Sequence, residues 1–267
     1  MTTAYRFPDF QVAGDAETTV FLLHGAYGCK DYFRHQIETL VNAGYRVVAW
    51  DAPGYGISPL PTGGLRIEGL AEAAARLIER EGSARNVVLG HSMGGITAPL
   101  VTVLAGDRVH GLVISATVAT FARKSEQDKV TFLEERIAPL KRGIPFRQAA
   151  LPVIRSMFAS ASQGPLVDMV IDVASGMRME TFCAAIEAIT LYDGEEYLRK
   201  VRVPTLLIAG AEDKVGRPEG MRALTSVIPD ARFACIEAAG HYAFAEQPEA
   251  FNQALLGFLR EVVPVVA

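Results

Sequence analysis

The stretch NVVLGHSMGGITAPLV, Asn86–Val101, decides the fold. Strand-like β-branched residues run up to Leu89, and an apolar helical pattern begins near Ile96. The turn between them is short, holds Gly90, Gly94 and Gly95, and carries one small polar residue, Ser92. Gly-x-Ser-x-Gly set between a strand and a helix is a nucleophile elbow. Its glycines let strand and helix approach closely while the serine takes a strained backbone conformation. The strain lifts the hydroxyl clear of the sheet edge, beside the first turn of a helix. There the Met93 N–H has no intrahelical partner and can face a developing oxyanion.

Outward from this turn, further strand-like runs recur at Thr19–His24, Tyr45–Asp51, Val109–Ala116, Val203–Gly210 and Ala231–Ala239. Several are apolar on both faces, as expected of strands covered by helices on each side. Helical patterns alternate with them, including Ile67–Gly82 and a last segment, Pro248–Val263, that opens with proline at a first helical position. This alternation predicts an α/β protein with a mostly parallel sheet and right-handed crossovers. It breaks once, between Phe121 and Arg199, where four short amphipathic segments are punctuated by prolines and glycines. An all-helical insertion at the carboxyl end of a strand sits where open α/β sheets bind ligands. The expected division is therefore a core of residues 1–120 and 201–267 and a helical lid of residues 121–200.

Half of the 267 residues are apolar, enough for one large core with an insertion. The net charge is −4 and mixed in sign along the chain, with no basic stripe for nucleic acid. No apolar run approaches the length of a membrane helix. Charged residues at Arg6, Asp9, Asp15 and Glu17 break the N-terminal segment where a signal peptide needs an apolar run. Cys29, Cys183 and Cys235 are odd in number and irregularly spaced, which fits a reducing compartment and predicts a cytoplasmic protein. Neither nucleic acid nor a membrane is expected as a partner, and nothing in the sequence sets an oligomeric state.

A serine hydroxyl needs a base held by a third group. Of the five histidines, His35 and His110 lie in polar surroundings, and His91, next to the serine, points to the other side of the strand end. His241, in EAAGHYAFAEQPEAF after the last strand, opens at the carboxyl edge of the sheet and is the base. The orienting acid belongs on a loop at the same edge, and LLIAGAEDKVGRP offers Glu212 and Asp213. Asp213 is preferred because its shorter side chain holds an imidazole more rigidly; Glu212 remains its competitor. Thr117–Phe121, the other suitable loop, contains no carboxylate. Tyr27, His91 and Tyr242, each beside one of these motifs, are the candidate substrate contacts.

The order Ser…Asp…His, with HGAYG, DAPGYGIS and GHYAFAEQPEAF, makes the chain resemble the α/β-hydrolase fold superfamily nearly end to end. Within it the likeness is to lid-bearing esterases, enol-lactonases and carbon–carbon bond hydrolases. The resemblance implies a lid inserted after the sixth-strand position, and Ala26 as second backbone donor of an oxyanion hole beside Met93. It also implies that His24 braces that loop, and that Asp51, Gly54, Gly56 and Ser58 hold a turn. The segment before His24-Gly25 is shorter than relatives have, so one antiparallel N-terminal strand is expected to be missing. The acid loop also carries its proline late, which puts the pocket near Val215 and Arg217 in question. The implied activity is hydrolysis of a small carboxylic ester or lactone, with a small carbonyl compound and water as the only partners. No cofactor or metal is expected, and the sequence carries no dinucleotide fingerprint or P-loop. Carbon–carbon bond hydrolysis, perhydrolysis or acyl transfer, and a ligand receptor of the same fold stand as alternatives. Arg142, Arg147, Arg155 and Arg178 of the insertion offer an anion site or, equally, solvated helix faces.

Overall fold

The structure, a computed structural model, describes residues 6–121 and 124–264. Among the described residues seven strands form one sheet: β1 Phe10–Ala13, β2 Thr18–Leu23, β3 Arg46–Trp50, β4 Arg85–His91, β5 Gly111–Ser115, β6 Thr205–Gly210 and β7 Ala231–Ile236. Their spatial order is β1-β3-β2-β4-β5-β6-β7. Only β1 runs antiparallel, with Phe10 opposite Trp50 and Ala13 opposite Val47. The remaining pairs are parallel, and β2 and β6 are buried along their whole length, the pattern of strands covered on both faces.

The crossover rule then orders the helices. From β2 the chain steps one way to β3, and from β3 it steps back across β2 to β4. Right-handed connections therefore put α1 (Arg34–Asn42) on one face and α2 (Ile67–Glu81) with α3 (Met93–Ala105) on the other. The packing agrees: α2 lies along α3, and α1 meets the C-terminal helix α11 (Pro248–Val262). Leu70, Ala74 and Leu77 form the buried stripe of α2, each leucine worth about 1.5–3 kcal/mol of apolar burial. The reversal between β2 and β4 is the topological switch point, where a crevice opens beyond the carboxyl ends of the strands.

Between β5 and β6 the chain is helical: α4 Glu126–Lys141, α5 Phe146–Met157, α6 Pro165–Ser175, α7 Met179–Leu191 and α8 Glu195–Lys200. This is one helix more than the periodicity predicts, because the six-residue α8 is too short to display a period. After β6 and β7 come the short helices α9 (Pro218–Ala223) and α10 (Ala243–Glu246). Strand β1 is likewise absent from the sequence reading; its burial alternates weakly over four residues, as an edge strand allows. Among the described residues it is the one antiparallel strand of the sheet. The turn after β3 is pinned by charge and hydroxyl. Lys30 Nζ reaches both Asp9 and the buried Asp51, and Ser58 Oγ donates to the Asp51 carbonyl at 2.8 Å.

Candidate active site

Ser92 lies where β4 gives way to α3, with φ 55° and ψ −114°. A non-glycine residue held in this region stores about 1–3 kcal/mol of strain. Crowding enforces the turn. A Cβ on Gly94 would sit 2.1 Å from the Leu23 carbonyl oxygen, and one on Gly90 would sit 2.1 Å from that of Gly94. The serine backbone is fixed on both sides: its N–H donates to Ser115 O at 2.9 Å, and its carbonyl accepts from Thr117 Oγ1 at 2.9 Å.

The hydroxyl meets His241, 149 residues away in the chain, with Nε2 at 3.0 Å from Oγ. The other ring nitrogen, Nδ1, lies 3.0 Å from Asp213 Oδ2. The second Asp213 oxygen accepts from the Val215 and Gly216 amides at 2.7 and 3.0 Å. Burial alone would raise the Asp213 pKa. The adjacent His241 and these hydrogen bonds outweigh it and hold the carboxyl below its ordinary value, so the group is anionic at neutral pH. Glu212 points elsewhere, its carboxylate accepting from the Ser160 N–H at 3.2 Å. Of the two candidate acids, only Asp213 touches the imidazole. The late proline, Pro218, opens α9 and leaves Val215 and Arg217 in the wall of the crevice.

Glu246, which the sequence reading passes over, organises the histidine loop. Its Oε2 accepts from Gly240 N–H at 2.9 Å, from Ala159 N–H at 2.8 Å and from Ser162 Oγ, while Oε1 accepts from Tyr242 N–H at 2.9 Å. His241 N–H in turn donates to Met157 O at 2.8 Å. One carboxylate thus ties the residues flanking His241 to the loop after α5. Glu246→Gln puts an NH2 where donors converge. It is expected to cost about 2 kcal/mol of stability, the scale of a lost charge-assisted bond, and to lower kcat about tenfold. Denaturant unfolding and steady-state kinetics test this; an unchanged midpoint and kcat would remove Glu246 from the account.

The Ala26 and Met93 amides make no hydrogen bonds among the described residues, and both residues border the crevice beside Ser92. The Ala26 loop is braced from behind by His24. Its Nε2 accepts from Ala52 N–H at 3.0 Å, which leaves the ring proton on Nδ1 to donate to Gly25 O at 2.8 Å. Burial lowers the His24 pKa to about 4, so the ring stays neutral. It is a brace with no free lone pair for proton transfer.

The crevice has a volume of about 960 Å³. Tyr27 and Tyr242 stand in its wall, nearly buried, Tyr27 against Phe182 and Tyr242 against Phe158. His91 has 0 % exposure and supports the site from beneath. Its ring packs on His241, Tyr242 and Phe244, and neither nitrogen has a hydrogen-bond partner among the described residues. It borders the crevice as a covered side chain beneath the site. None of Arg142, Arg147, Arg155 and Arg178 lines the crevice. Arg178 donates to the Gly54 and Ser58 carbonyls, Arg147 pairs with Asp172 at the surface, and Arg142 and Arg155 are exposed. Among the described residues of the insertion, the arginine that borders the crevice is Arg136, which the sequence reading passes over.

A family model described as the alpha/beta hydrolase fold matches residues 18–248. The protein named "Putative carbamate hydrolase RutD" of Azorhizobium caulinodans is 30% identical over 250 residues, 92% of this chain and 93% of that one. The 2-hydroxy-6-oxononadienedioate/2-hydroxy-6-oxononatrienedioate hydrolase of Paraburkholderia phymatum is 29% identical over 262 residues, 92% of this chain and 88% of that one. Among solved structures, a thermophilic esterase from Thermogutta terrifontis superposes with a TM-score of 0.84 at 27% identity, covering 95% of this chain and 93% of that one.

Proposed function

The chain belongs to the α/β-hydrolase fold family, and on that premise we propose that it is a serine hydrolase cleaving a small carboxylic ester or lactone. The reading is carried by one observation: the unbroken series Ser92 Oγ, His241 Nε2, His241 Nδ1 and Asp213 Oδ2, both hydrogen bonds 3.0 Å, starting from a strained serine. Oγ attacks the substrate carbonyl carbon as its proton passes to His241 Nε2. Asp213 holds Nδ1–H and stabilises the imidazolium. The unpaired amides of Ala26 and Met93 donate to the oxyanion, each worth about 2.7–4 kcal/mol of barrier. The imidazolium then protonates the leaving oxygen, and the acyl-enzyme remains. Water enters, gives a proton to Nε2 and adds to the acyl carbon. Collapse frees the carboxylic acid and returns the proton to Oγ.

Residues 121–200 act as a lid on a core of residues 1–120 and 201–267. Phe121, Phe132 and Ile186 from the lid line the same crevice as Ser92, and in this reading they shield the acyl-enzyme from bulk water. A fluorophosphonate probe tests the reading without a choice of substrate. The expected adduct is on Ser92, located by mass spectrometry after digestion, and it disappears in His241→Ala. A folded wild type that is not labelled, or is labelled elsewhere, would sink the proposal. A second reading, carbon–carbon bond hydrolysis by the same residues, is favoured by the relative from Paraburkholderia phymatum. Turnover of a vinylogous diketone faster than of simple esters would select it.

A further inference from the structure

Seven charged side chains line the crevice, and six of them are exposed to solvent. The exception is Arg136, on α4, whose side chain is only 14% exposed. Its guanidinium carbon lies 3.9 Å from the centre of the Phe132 ring. One terminal nitrogen donates to the Phe132 carbonyl at 3.2 Å and approaches the exposed Glu135 carboxylate at 3.4 Å. The other terminal nitrogen and Nε make no hydrogen bond among the described residues. Among the described residues this half-buried charge has the exposed Glu135 as its counter-ion and no buried one. Taking a cation out of water is costly unless a hydrogen-bonded anion meets it. A guanidinium presents its remaining donors as a planar fork that matches a carboxylate. Tyr27, directly after Ala26, stands within electrostatic reach of this charge.

We infer that Arg136 is an anion-recognition residue of the crevice, and that the substrate carries a carboxylate besides the carbonyl that Ser92 attacks. This rests on the serine-hydrolase reading. The site thus takes small half-esters or lactones of carboxylic acids in preference to neutral esters of the same length. Arg136 sits in the lid and Ser92 in the core, so one substrate engaging both would join the two parts across the crevice.

The test measures protection of Ser92 from the fluorophosphonate by the linear diacids malonate to adipate. Each is compared with its neutral diamide at matched ionic strength, and melting temperatures are read on the same samples. At least one diacid is expected to slow labelling and raise the melting temperature where its diamide does neither. In Arg136→Gln the concentration for half-protection should rise about 10- to 100-fold, the scale of a lost charge-assisted bond, with partial recovery in Arg136→Lys. Each variant is referred to its own unprotected rate. Equal effects of diacid and diamide on the wild type would overturn the inference. So would protection that survives Arg136→Gln, or that is lost only in Lys214→Gln at the mouth of the crevice. If Ser92 is not labelled at all, the hydrolase reading fails; the melting temperature still reports whether the diacid binds through Arg136.

Discussion

Ser92→Ala is expected to lower kcat by roughly 10⁶-fold, the loss found when the nucleophile of a serine hydrolase is removed. The reason is local. Without Oγ, His241 Nε2 has no hydroxyl to deprotonate, and the oxyanion donors and binding contacts alone give only about 10³–10⁴ over water. The fold should survive, because alanine occupies the same strained backbone and the backbone bonds to Ser115 and Thr117 remain. Circular dichroism and the melting temperature check that. Retention of more than about a tenth of the activity by a folded variant would end the assignment.

Asp213→Asn is expected to lower kcat by about 10⁴-fold, and the geometry says why. Oδ1 accepts from two backbone amides, Val215 and Gly216, so that position must stay an oxygen. The new NH2 group then faces His241 Nδ1 and can only donate to it. The imidazole is forced to carry its proton on Nε2, the nitrogen that must accept the serine proton. The variant keeps the shape of the site with the wrong tautomer. Glu212→Gln is the matched control, because Glu212 bonds to Ser160 and not to the histidine. Its kcat should stay within about twofold, the range of a surface substitution without other effect. A large loss in Glu212→Gln with none in Asp213→Asn would transfer the role to the neighbouring residue.

The insertion and the histidine loop are not independent parts. The Met157 carbonyl, at the end of α5, takes the His241 N–H, and Glu246 binds the same loop from the other side. A displacement of the α5–α6 connection therefore moves His241, so changes in the insertion far from Ser92 should appear in kcat as well as in KM. Arg136 is a different kind of insertion residue, because it borders the crevice directly.

By itself the sequence determined what repeats locally. Strand and helix periods, the glycine-flanked Ser92 and the loop position of His241 are short-range patterns, legible because backbone geometry ties residue type to spacing. They settle a parallel α/β sheet and narrow the chemistry to a few side chains. The four-residue β1 and six-residue α8 fell below the length at which a period is visible. Tertiary structure alone decided the rest. Glu212 and Asp213 are adjacent in one turn, and only the amides of Val215 and Gly216 and the ring 28 residues on separate them. The places of His91 and Arg136 were decided in the same way. The first is packed among aromatic rings from two other segments, and the second borders the crevice from an amphipathic helix whose sequence does not single it out. Burial and partnership belong to surfaces that meet only when distant segments pack, and no local spacing records them.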